Sequence, residues 1–168
     1  INDMKQGRHP LFTDSVRTDF FAYSIGALLA QVVLMADPYE NLPDSRLFTF
    51  CGGSVFERMN GNSRDIMDQE AYQKIREYYL GEFHNFQRGQ DGRQAGVSDK
   101  LTNAFRLMIH SADPEDGRRM FFARAKDRIM MISLRKDTVI PTVGLHEATG
   151  QELAGYMTRE LDFPYEYT

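Results

Sequence analysis

The chain holds one cysteine, Cys51. No intrachain disulfide can form, so a disulfide-framed fold is excluded. A single cysteine favours the cytoplasm without fixing it. Basic residues are also in short supply. Twenty Lys and Arg stand against 24 Asp and Glu, a net charge of −4, with an isoelectric point near 5.6. No basic face is evident to neutralise phosphates, so no nucleic-acid partner is expected. No internal repeat or low-complexity tract stands out. No secretory leader is visible, which says little in a sequence that begins at Ile1 rather than Met. The longest apolar stretch, residues 20–36, falls short of the roughly 20 residues that cross a bilayer. It also carries Ser24, Gly26 and Gln31, and no membrane span is expected. His9, His84, His110 and His146 stand alone, none paired at a metal-ligand spacing. There is no glycine-rich phosphate loop either. Neither a metal nor a cofactor is implied.

What is present is enough chain for one domain with a sizeable core, 168 residues. It is organised around residues 17–36, which read as a short buried strand, a tight turn and a long apolar helix. Ser24 sits on the turn, inside Ala22-Tyr23-Ser24-Ile25-Gly26. Small-x-Ser-x-small is the form of a nucleophile elbow, with Ala22 where a glycine usually stands. A strand turning sharply into a helix brings the backbone close to itself, which favours small flanking residues. The Ile25 amide would lie at the helix N-terminus, where a developing oxyanion is favoured. The bland reading of the same residues is an ordinary buried strand and core helix with an inert serine.

In chain order, residues 1–11 read as the tail of a helix and a loop, with Gly7 and Pro10 as breakers. Strand 19–23 and helix 25–35 follow, and Asp37-Pro38 ends the helix. Residues 46–51 are a compact apolar run of strand type, bounded by Gly52 and Gly53. Strand, helix, strand predicts a right-handed crossover and parallel pairing. Gly52, Gly53 and Ser54 then share an edge with Ser24, and with Tyr23 they are candidates for a substrate pocket. A plain turn explains the two glycines equally well.

Residues 54–126 lack strand character. Helices are expected at 67–79, at 98–110 with Ser98 as N-cap, and from 113 to about 126. A helical block between two strands, over the ligand edge, reads as a cap or lid. Its Met and aromatic residues serve as an inner packing face or as the wall of an acyl pocket. Residues 127–134 form the next strand and deliver Asp137, just past the strand end. Asp137 reads either as a loop or N-cap residue of any α/β protein or, taken with Ser24 on the same sheet edge, as the acid that a triad needs to orient a histidine.

Ala22-Tyr23-Ser24-Ile25-Gly26, the helical insertion, and residues 129–141 ending in Lys136-Asp137-Thr138-Val139-Ile140-Pro141 together resemble the C-terminal half of an αβ-hydrolase fold protein of the serine hydrolase type. The resemblance covers most of residues 14–168. It implies an α/β fold with a mostly parallel sheet, flanking helices and a cap insertion at about 54–126. It also implies Ser24 as nucleophile, Asp137 as acid and the Ile25 amide as an oxyanion donor, acting on a small-molecule ester or related acyl bond. In that family the elbow serine follows the fifth strand and the acid commonly follows the seventh. The preceding strands and a second oxyanion donor have no counterpart here. The chain is therefore expected to be partial, with its free sheet edge covered by an N-terminal half or by another chain, such as a second copy. The triad histidine should follow the last strand, expected at 161–168, and so is expected beyond Thr168. His146 has the right order but lies in the helix before that strand, and is the alternative base. The alternative function is a binding or interaction module that keeps the elbow as architecture. A membrane-anchored helical protein is a more distant third.

Overall fold

The computed structural model describes residues 2–12, 16–37, 39–61, 67–83, 97–110 and 115–163. Four strands form its sheet among these residues: β1 Phe20–Tyr23, β2 Leu47–Phe50, β3 Ile129–Leu134 and β4 Thr158–Leu161. They lie in the order β1-β2-β3-β4. All three pairings are parallel, with Phe20 opposite Leu47, Leu47 opposite Ile129 and Met131 opposite Thr158. Parallel neighbours need crossovers, and helices supply them. After the short α1, Asn2–Lys5, helix α2, Ile25–Ala36, joins β1 to β2. Between β2 and β3 come α3 Gln69–Glu77, a π-helical turn at Tyr78–Phe83, α4 Val97–Leu107 and α5 Glu115–Ala125. Helices α6 Thr142–Thr149 and α7 Gln151–Met157 join β3 to β4. This is an α/β fold with a parallel sheet and flanking helices.

One face of the sheet carries the core. Ala22, Leu47, Thr49, Ile129, Met131 and Ser133 point into it and are buried. From α2, Ala27, Leu28 and Val32 meet them. Helix α2 packs on β1, β2 and α4, which is why its apolar run is so dense. Asp37 ends the helix with φ 24°, and its carboxylate accepts from the amides of Asn41 and Leu42, each at 3.0 Å. On the opposite face Phe21 stacks on Phe48 at 5.4 Å and Tyr23 on Phe50 at 6.2 Å. Phe21, Tyr23 and Met130 stay exposed there.

Two local expectations are corrected. The last strand is Thr158–Leu161, and the expected strand start at residue 161 is its final residue. Arg159 and Glu160 are exposed on this outermost described strand, where charge is tolerated and hides the strand signal. Residues 164–168, including Pro164, lie outside the described residues. Helix α4 begins at Val97, so Ser98 lies inside its first turn and is not the N-cap. The expected helix 67–79 is α3, capped by Asp68, whose carboxylate accepts from the Ala71 amide at 3.0 Å. The expected helix from 113 is α5, and residues 113 and 114 lie outside the described residues. Among the described residues no helix is long and apolar enough to cross a membrane.

Candidate active site

Because all strands run the same way, the segments leaving β1, β2 and β3 emerge on one edge. The first delivers Ser24. Its backbone has φ 53° and ψ −131°, a conformation a side chain rarely adopts and one that costs on the order of 1–3 kcal/mol. The amide of Ser24 donates to the Phe50 carbonyl at 3.3 Å, and its carbonyl accepts from the Ala27 amide at 2.9 Å. The chain thus turns from ladder to helix within one residue. The Ser24 hydroxyl does not cap α2. Ile25 is the first residue of α2, so its amide has no carbonyl one turn back within the helix.

The space constraint lies elsewhere than at the flanks of Ser24. A Cβ on Gly26 would meet nothing within 4 Å, whereas one on Gly52 would overlap the Cβ of Ala27. Gly52 lets β2 pass the first turn of α2. A Cβ on Gly53 would lie 2.6 Å from Ile140 Cγ2, so this residue seats the β3 loop. Ser54 is fully buried and donates to Gln31 Oε1 at 2.6 Å. Gly52, Gly53 and Ser54 therefore hold α2 against the sheet.

The third segment delivers Asp137, 4% exposed. Its Oδ1 accepts from the amides of Val139 at 3.0 Å and Ile140 at 2.8 Å. Its Oδ2 is buried and has no hydrogen-bond partner among the described residues. Burial pushes the carboxyl above its ordinary value, against the opposing pull of the Ile140 and Val139 amides. Cys51, at the end of β2, is buried as well. Burial first, and the Asp137 charge second, push its thiol up to about 11, which keeps it protonated and unreactive at neutral pH.

A cavity of about 360 Å³ opens at Ser24. Leu28 and Leu29 of α2, Ile75 and Tyr79 of the helical block, and Ile140 of the Asp137 loop wall it. Ser24, Ile25 and the Asp137 loop are thus brought to one cavity. Tyr23, Gly52, Gly53 and Ser54 are not among its lining residues. Tyr23 faces Phe50 on the other side of the sheet.

No histidine donates to Asp137 among the described residues. His9 Nδ1 accepts from the Leu11 amide at 3.2 Å, near the N-terminus. The His110 ring sits 3.1 Å from the Leu80 carbonyl and 3.7 Å from Glu57. His146 lies half-buried on α6, and His84 lies outside the described residues. No group of three or more His, Cys, Asp or Glu that could hold a metal ion occurs among the described residues.

Fold and edge together define an α/β protein with a parallel sheet of four strands among the described residues. The chain belongs to a family of unknown function, DUF6051, which it matches over residues 1–168. No curated protein matches it. Among solved structures it is similar to olei00960, a hydrolase from Oleispira antarctica, at 9% identity and a TM-score of 0.38. That similarity covers 91% of this chain and 59% of the other.

Proposed function

We propose that the protein is a serine hydrolase acting on an ester or related acyl bond. The observation that carries this reading is Ser24 itself: a serine held at positive φ between a parallel strand and a helix N-terminus, at the mouth of an apolar cavity. The Ser24 Oγ attacks the acyl carbon, and a histidine takes its proton and passes it to the departing alkoxide. Water then opens the acyl-enzyme, giving a proton to the same histidine, and Ser24 is restored. The Ile25 amide stabilises the oxyanion in both steps. Asp137 orients the histidine through Oδ2, its unpartnered oxygen. The histidine lies outside the described residues, and the helical block of residues 54–126 acts as a cap over the cavity.

The second reading is a non-catalytic binding module of the same fold. One observation favours it: no described histidine reaches Asp137. Fluorophosphonate labelling of the native protein, followed by mass spectrometry, separates the two. The hydrolase reading expects a single adduct on Ser24, and ester turnover that falls by several orders of magnitude in Ser24→Ala without loss of fold. A folded protein with no adduct and no turnover is a binding module.

A further inference from the structure

We infer that the 360 Å³ cavity at Ser24 is a selective site for one uncharged apolar chain of medium length. Resting on the hydrolase reading, that chain is the acyl group of the substrate. Among the described residues that line the cavity, not one side chain is charged. Part of the wall is an aromatic cluster, with Tyr79 set edge-on to Phe56 and to Phe105, each at 5.5 Å. The Tyr72 hydroxyl, the polar tip of another lining residue, is engaged by the Met59 carbonyl. A carboxylate or ammonium on the acyl chain would be stripped of water here with nothing to pair with. Ester substrates with a charged acyl end are therefore excluded.

Volume sets the length. An apolar cavity of roughly 150 Å³ takes one benzene, so this one has room for a chain on the order of ten carbons. Each methylene that enters the cavity adds roughly fourfold in affinity, until the volume is filled. Ile75 of α3 and Leu29 of α2 both line the cavity. Leu29 is about half exposed, so a larger side chain there narrows the cavity without disturbing the core.

The test uses the full chain carrying Ser24→Ala, and n-alkyl methyl ketones of increasing length, which are neutral and cannot be hydrolysed. Calorimetry should show affinity rising roughly fourfold per methylene and levelling off at about ten carbons. Ile75→Trp and Leu29→Trp should each weaken the longest ketones about tenfold and spare the shortest. Affinity independent of chain length, or untouched by both substitutions, overturns the proposal. Fluorophosphonate labelling of wild type in parallel keeps the two readings apart. An adduct on Ser24 with ungraded ketone binding removes the chain site and leaves the hydrolase. Graded ketone binding with no adduct leaves the chain site and removes the hydrolysis.

Discussion

Ser54 Oγ donates to Gln31 Oε1 at 2.6 Å, with both side chains fully buried. The Gln31 amide nitrogen donates in turn to the Ala27 carbonyl at 2.9 Å and the Gly53 carbonyl at 3.0 Å. Helix α2 is thereby tied to the segment leaving β2, two helical turns from Ser24. Gln31→Leu would orphan the Gly53 carbonyl and leave the Ser54 hydroxyl only the weak Met131 sulfur acceptor at 3.8 Å, each at about 1–3 kcal/mol. We expect a loss of about 3 kcal/mol for Gln31→Leu and about 1–2 kcal/mol for Ser54→Ala. Urea denaturation of both single variants and the double variant should give a coupling of about 1 kcal/mol or more. Simple additivity would mean that the two side chains do not act as a pair.

Ser24 separates strain from chemistry. At φ 53° a glycine is at ease where serine and alanine are not. Ser24→Gly should be more stable than Ser24→Ala by about 1 kcal/mol, while both lose turnover alike. Equal denaturation midpoints would show that the turn holds no strain.

Much of this site can be read from the sequence, and the parts that cannot share a cause. Strands β1, β2 and β3 and helix α2 announce themselves because each is a dense apolar run bounded by turn residues. Parallel pairing follows from their alternation with helices, and it places Ser24 and Asp137 on one edge. Strand β4 is hidden because Thr158, Arg159 and Glu160 lack an apolar run, and only its pairing with β3 makes it a strand. Gly52, Gly53 and Ser54 look like a ligand loop because glycines on a sheet edge usually are one. Their packing role depends on Ala27 and Gln31, distant in sequence. Gln31 was the available signal, since an amide in so apolar a helix must find partners. Nothing local reveals that Phe56, Ile75, Tyr79 and Phe105 line one cavity with Ser24, because tertiary packing alone brings them together.

Gly52 carries a geometric prediction. A Cβ there would overlap that of Ala27. Gly52→Ala should therefore cost about 1–3 kcal/mol by overpacking. Ala27→Gly, itself costing about 1 kcal/mol in a helix, should relieve most of that strain when combined with it. A double variant no more stable than the sum of its parts would place the strain elsewhere.

Cys51 should be silent in the folded state. It is buried, and its thiol is pushed up to about 11. At pH near 8 almost none is thiolate, and burial blocks access to what is. A thiol-specific reagent such as iodoacetamide should leave the native protein and its turnover unchanged, and should label Cys51 only after denaturation. Rapid native labelling, or inhibition by it, would make the cysteine a rival to Ser24 as nucleophile.

Asp137 reports on a partner at Oδ2 through the sign of a pH slope. Burial raises its carboxyl above 3.8 in the folded state. The folded chain then holds this proton more tightly than the unfolded chain does. Stability from this group is present below 3.8 and is lost as pH rises through the folded value. Asp137→Asn keeps an acceptor for the Val139 and Ile140 amides and removes the buried charge. It should therefore gain stability relative to wild type as pH goes from about 4 to about 8. That slope holds while Oδ2 stays unpartnered. A histidine donating to it, as the hydrolase reading requires, reverses the slope, and Asp137→Asn then loses turnover by a factor on the order of 10³–10⁴. Denaturation midpoints of both proteins across that range give the slope directly. A wild type that instead gains on the variant with rising pH would place a donor on Oδ2. A histidine in that position would be the base that Ser24 requires.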